Sequence, residues 1–242
     1  MGGVVLPAGV ERLLDDLSEA RGVVAVTLGG SRSTGVADDA SDWDLGFFYR
    51  GEPDLTRLAE LGTVHRPGSW GRFMNGGAWL KVDGVEVDVI LRDLDVVEDW
   101  SVRARRGEYE VDQLLGYLAG FPSYTLLAAV ACSDVLTGSL DVDTTYPDAL
   151  AREAESRWAF QRDFTLDYAR MHARRGDATA TIGNLARAAM EEAHRRMAAR
   201  RRWVLNEKRL LGEVGLTELP ILGSATLNLS SSVEVFAAAR AE

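Results

Sequence analysis

The 242-residue chain is 46% hydrophobic and 26% charged, with a formal net charge of −10 at pH 7. That balance suits a core-forming protein and opposes one built to grip phosphate backbones, which needs a basic footprint. A single cysteine, Cys132, excludes an intramolecular disulfide framework, and no apolar run approaches the ~20 residues of a bilayer crossing. The N-terminus lacks the basic and apolar regions of a signal peptide. The expectation is a cytoplasmic protein with no membrane partner. Acidity is unevenly placed: residues 1–146 hold 24 acids against 12 bases, twelve excess negative charges, whereas from Pro147 onward 13 acids face 15 bases. Lys81 and Lys208 are the only lysines among 27 basic residues, so an arginine cluster carries little information by itself.

Val10, Leu13, Leu14 and Leu17 recur at helical spacing and predict an amphipathic first helix. The run VVAVTL, residues 23–28, reads as a buried strand, followed by the turn GGSRSTG and a second strand over residues 42–49, DWDLGFFY. AWLKV and VEVDVIL flank Asp83-Gly84, the strongest short-range hairpin signal, because a type I′ turn needs positive φ at both central residues. Beyond Asp112 the periodicity turns helical. Residues 148–175 and 178–202 each predict a long helix, split by Gly176-Asp177, and a shorter pair follows near 207–213 and 231–240. The fold class expected is α+β: a mixed sheet with flanking helices over residues 1–111, then a helical bundle over 112–242.

Leu28-Gly29-Gly30-Ser31 precedes Asp42-Trp43-Asp44-Leu45 by a ten-residue spacer. Side chains repeat every two positions along a strand, so Asp42 and Asp44 share a face. Two carboxylates there repel each other unless a cation sits between them, and Mg2+ prefers such oxygen ligands. The Gly-Gly-Ser turn lets backbone N–H groups approach an anion closely. In VEVDVIL, Glu86 and Asp88 share the face opposite Val87 and Val89. Asp88 then serves as a third metal ligand or as the base for an attacking hydroxyl, while Glu86 reads as a surface partner.

In these three motifs, over roughly residues 23–91, the chain resembles the nucleotidyltransferases of the DNA polymerase β superfamily. Their pattern is a hydrophobic residue with Gly-Gly/Ser, a spacer, Asp-hydrophobic-Asp/Glu-hydrophobic, and a carboxylate on a later strand. The resemblance implies Mg2+ on Asp42, Asp44 and Asp88, these three as the catalytic set, and an NTP cradled at Gly30 and Ser31. Arg32 is a candidate for neutralising phosphate, against an ordinary surface arginine. The helical continuation looks like the aminoglycoside- and lincosamide-modifying members, which makes residues 112–242 a substrate-binding domain and Lys208 a triphosphate contact. The competing reading of Lys208 is a solvated lysine beside Glu207. The implied reaction moves NMP, AMP from ATP, onto a hydroxyl of an aminoglycoside-like antibiotic, a resistance function. The rivals are a toxin-type enzyme modifying tRNA or protein and a non-catalytic nucleotide-binding module. The acidic charge disfavours nucleic acid, and a homodimer stays open.

The remaining features read more plainly. Trp43 is expected in the core. Arg195, Arg196, Arg200, Arg201 and Arg202 read as a solvated helix face rather than an RNA-binding stripe. His65, His172 and His194 lack metal-ligand spacing, the acidic segment from Asp93 to Asp112 reads as a solvated helix face, and Cys132 reads as a buried small hydrophobe.

Overall fold

The computed structural model describes residues 5–33 and 41–216, together with Glu234 and Ala238; within the first stretch the Ser31 side chain is not described. The fold is a mixed α+β one. It divides into two compact units, Met1–Val102 with Pro122–Thr145, and Arg103–Phe121 with Tyr146–Glu242, so the chain leaves the first unit and returns to it.

The first unit contains α1 (Ala8–Ser18), β1 (Val23–Leu28), α2 (Gly30–Ser33), β2 (Trp43–Tyr49), α3 (Thr56–Leu61) and β3 (Gly62–His65). There follow β4 (Gly76–Val82), β5 (Val85–Asp93) and α4 (Leu94–Ala104), whose last turn crosses into the second unit. After the short β6 (Val111–Asp112) and β7 (Phe121–Pro122) come α5 (Thr125–Ala131) and β8 (Asp134–Gly138). Six strands form one sheet in the order β3-β4-β5-β2-β1-β8. The β2–β5 ladder is parallel and the others are antiparallel. The β4–β5 hairpin turns at Asp83 (φ 51°) and Gly84 (φ 85°), the two positive values a type I′ turn requires.

Period-two alternation decides which face of the sheet is core. Trp43, Leu45 and Phe47 on β2, Val87, Val89 and Leu91 on β5, and Ala78 and Leu80 on β4 are all buried with Val10, Leu13 and Leu17 of α1. Covering a leucine fully contributes about 1.5–3 kcal/mol, so the three apolar anchors of α1 suffice to fix it there. Gly9 allows that approach, since a Cβ would meet Asp83 Oδ2 at 2.8 Å. The opposite face, with Asp44, Asp88 and Trp79, stays partly open. Trp43 lies in the core as expected, but Cys132 is only half-buried, because it ends α5 with its carbonyl accepting from Ser33 Oγ at 2.9 Å.

The second unit is dominated by α6 (Asp148–Arg174) and α7 (Ala178–Ala199), with α8 (Leu210–Glu213) following. The split at Gly176-Asp177 has a defined chemistry. Gly176 takes φ 72°, Gly176 N–H donates to Ala173 O and Asp177 N–H to His172 O, and the Asp177 side chain accepts from Ala180 N. A Schellman stop is thus joined to an N-cap start. Trp158, Leu166, Leu185 and Ala189 supply the apolar seam.

A buried ionic cluster crosses the same seam. Glu192 is fully buried and accepts from Arg162 at 2.5 Å, Arg195 at 2.8 Å and Arg196 at 2.8 Å. Burial pushes its carboxyl up, but hydrogen bonds from the three guanidinium groups outweigh it and bring it down to about 2. Glu191, also buried, is raised because desolvation outweighs its hydrogen bonds to Arg187 and Thr165 and the charges of Arg187 and His194. Arg195 and Arg196 are therefore largely buried partners of a carboxylate, which corrects the expected solvated face. Arg201 pairs with Asp148 at the exposed end. His194 stacks on Trp158 at 4.6 Å, within 3.5 Å of Glu207 Oε1. The helix expected over 231–240 lies outside the described residues apart from Glu234 and Ala238. No described helix is long and apolar enough to cross a membrane.

Candidate active site

The parallel ladder of β2 and β5 sets Asp44 opposite Asp88, and the antiparallel ladder of β5 and β4 sets Asp88 opposite Trp79. Register partners in adjacent strands project to one face, so Asp44, Asp88 and Trp79 form a row on the open side of the sheet. Glu86, two residues before Asp88, is instead answered by Lys81 at 2.9 Å on the exposed rim. Its charge is already matched. Hence two carboxylates predicted from separate motifs are brought together by strand register, and the neighbouring Glu86 is not part of the pair.

The Gly-Gly turn reaches the same place from β1. Gly29 N–H donates to Asp44 O at 2.8 Å, which extends the β1–β2 ladder by one bond past Leu28–Leu45. Gly30 has φ 65°, and a Cβ on it would sit 2.5 Å from Asp44 Cγ, inside the carboxylate. Only glycine fits both the backbone conformation and the contact. The chain then makes the four-residue turn α2, tied down by Ser33, whose hydroxyl donates to Gly30 O and to Cys132 O. Ser31 falls on this turn, with its side chain outside the described residues.

Asp42 sits just ahead of β2 and is exposed. Arg32 fixes that approach: its guanidinium donates to Ser41 O and Asp42 O and lies over the Trp43 ring at 4.3 Å. This arginine is engaged in shaping the head of β2. Lys208 lies in the second unit, exposed, with its backbone N–H donating to Asn206 Oδ1 at 2.9 Å.

The candidate ligands are all carboxylate oxygens, the donor type that suits a hard divalent cation. Asp44 and Asp88 meet the requirement for adjacent carboxylates, and Asp42 stands two residues from Asp44. Among the described residues no three acidic, histidine or cysteine side chains converge as a metal cluster. The fit therefore rests on the Asp44–Asp88 pair and its donor chemistry.

Sequence reasoning missed the aromatic part of the site. His65, Trp70 and Trp79 pack together on the Asp88 face, with ring centroids 4.4 to 5.5 Å apart. The available signal was the alternation in AWLKV, which sends Trp79 and Lys81 away from the core residues Ala78 and Leu80.

Residues 10–110 match the family model described as a nucleotidyltransferase domain. The matched segment contains Gly29, Gly30 and all three aspartates. A solved structure of a nucleotidyltransferase-like protein from Exiguobacterium sibiricum is 11% identical, with 96% of this chain and 74% of that chain covered and a TM-score of 0.44. No curated protein matches the chain.

Proposed function

We propose that this chain, whose residues 10–110 match the family model of a nucleotidyltransferase domain, transfers AMP from ATP to a hydroxyl of a cationic small molecule of the aminoglycoside type, with Mg2+ as cofactor. The observation that supports it most is the register pairing of Asp44 with Asp88 beside the bare backbone of Gly30.

Asp44 and Asp88 would hold the cation, with Asp42 at the head of the same strand. Mg2+ bound there supplies charge neutralisation at the phosphate oxygens during in-line displacement. Gly30 lies against Asp44, its bare backbone leaving room for that carboxylate, and the Gly29-Gly30-Ser31 turn would offer backbone N–H groups to a phosphate. Asp88, on the far side of Asp44 from that turn, would accept the proton of an attacking hydroxyl. Arg32 acts as a positioning residue by holding the carbonyls of Ser41 and Asp42. The twelve excess negative charges of residues 1–146 favour a cationic acceptor over a polyanion.

The test is incubation with Mg2+ and ATP or GTP labelled at the α-phosphate, beside an antibiotic panel, total tRNA and bulk protein. Label from ATP on an aminoglycoside is the expected result. Label on tRNA or protein overturns the acceptor, label from GTP alone overturns the nucleotide, and no label anywhere overturns the reaction.

A further inference from the structure

The exposed aromatic row beside Asp88 is unused by the chemistry above. Trp79 is 52% exposed although two other rings pack against it. Its surroundings are built rather than accidental. The β3–β4 register sets His65 opposite Gly77, and a Cβ on Gly77 would sit 2.5 Å from Trp70 Cζ3, so the indole of Trp70 rests on bare backbone. Trp70 N–H donates to Asn75 O at 3.0 Å. Asn75, at φ 70°, accepts from Gly68 N–H and donates to Tyr49 Oη, which fixes the loop that carries Trp70. His65 meets Trp79 edge-on at 4.4 Å and 69°, and its buried Nε2 has no hydrogen-bond partner among the described residues. Ring packing holds the imidazole in place.

Strand order decides what such a surface faces. Across the sheet the sequence is Trp79, Asp88, Asp44 and then the Gly29-Gly30 turn. Neighbouring strands lie about 4.8 Å apart, so Trp79 stands roughly 5 Å from Asp88 and roughly 10 Å from Asp44. A phosphate at the glycine turn and a ring on Trp79 thus approach Asp88 from opposite sides. A six-membered ring spans about one strand spacing, so a hydroxyl on its edge reaches the Asp88 carboxylate. Asp88 and Asp44 follow Trp79 in the same row, while Glu86 is paired with Lys81 on the rim. An indole face beside carboxylates suits a ring carrying ammonium groups, through cation–π attraction.

We propose that Trp79, braced by His65 and Trp70, is the acceptor platform: it stacks on a saturated, amine-bearing ring and presents that ring's hydroxyl to Asp88. The assignment rests on the reading of Asp44 and Asp88 as the catalytic pair.

Calorimetric titration of the full chain with kanamycin, and separately with Mg2+–ATP, tests it in the wild type, Trp79→Ala and Trp79→Phe. Expected are kanamycin binding by the wild type, about ten-fold weaker binding by Trp79→Ala, and recovery of most of it in Trp79→Phe. ATP affinity should not move, and unchanged melting temperatures would show that each variant folds. Failure of the wild type to bind kanamycin overturns the proposal, as does unchanged kanamycin affinity in Trp79→Ala. Weakened ATP binding with kanamycin unmoved overturns it in favour of a nucleobase platform, and an effect confined to labelling of tRNA overturns it in favour of an RNA end. Failure of the catalytic reading looks different, because Asp44→Asn would then transfer label at the wild-type rate whatever Trp79 does.

Discussion

Gly30 approaches Asp44 so closely that a Cβ on the glycine would lie 2.5 Å from the carboxylate carbon. The close approach sets the backbone of the Gly29-Gly30 turn against the side chain proposed to hold the metal. Gly30→Ala therefore does two things. It places a residue with a side chain at φ 65°, costing about 1–2 kcal/mol, and it displaces Asp44. A misplacement of about 1 Å at reacting groups costs on the order of 10²-fold in rate. The expected result is a melting temperature lowered by several degrees and transfer lost by at least that factor, read by thermal denaturation and labelled-ATP turnover. Wild-type turnover in Gly30→Ala would show that the turn and Asp44 are not coupled in catalysis.

Asp88 and Glu86 share a face but have different neighbours. Asp88→Asn removes half of the proposed metal pair and should cost about 10³-fold or more in turnover. Glu86→Gln breaks only an exposed pair with Lys81, 58% and 65% accessible, and such pairs commonly contribute ~0–1 kcal/mol. It should keep most of the activity. Equal losses in the two variants would mean that Asp88 has no special place in the reaction.

Much of this geometry was legible before any coordinates. Alternation in VEVDVIL and DWDLGFFY fixes which residues share a face, and Asp83-Gly84 fixes the hairpin register, because local backbone chemistry decides both. What alternation cannot say is which strand lies beside which. The parallel pairing of β2 with β5, which sets Asp44 against Asp88, is a long-range choice with no local signal. The strand Asp134–Gly138 carries no local signal for a similar reason: DVLTG is a mostly exposed edge segment, and its place beside β1 comes from tertiary pairing. The aromatic cluster joins residues on β3, β4 and a loop, so each ring alone read as ordinary. The arginines of α7 give no local sign of burial, because it is Glu192, one turn away on the buried side of the helix, that draws Arg195 and Arg196 inward.

Asn75 offers a test of the aromatic platform's foundation that is separate from Trp79. Its side chain makes two hydrogen bonds, and its φ of 70° suits asparagine better than most residues. Asn75→Ala loses both bonds and keeps the strained backbone, for roughly 2–3 kcal/mol. Asn75→Gly relieves the backbone but not the bonds, so it should be the less damaging of the two. Urea unfolding of both variants measures the difference, and equal stability of Asn75→Ala and wild type would deny the loop its anchor.

The last prediction concerns the buried charges of α7. The Glu192 carboxyl is held at about 2 against an ordinary value of 4.5. A depressed value means that the folded state binds the proton less readily than the unfolded state. The stabilisation is therefore fully present above about pH 5 and drains away as pH falls through 4.5 toward 2. Glu191 works in the opposite sense, because its raised value favours the folded state at low pH and is lost as pH rises through it. Glu192→Gln leaves Arg162, Arg195 and Arg196 without their shared carboxylate, and breaking such a buried network typically costs 3–5 kcal/mol at neutral pH. Urea unfolding of wild type and Glu192→Gln at pH 7, 4 and 3 should show that gap narrowing with acid below about 4.5, since the unfolded wild type then takes up a proton that it must release on folding. A gap that stayed constant from pH 7 to pH 3 would mean that packing, not the ionised carboxylate, accounts for the loss.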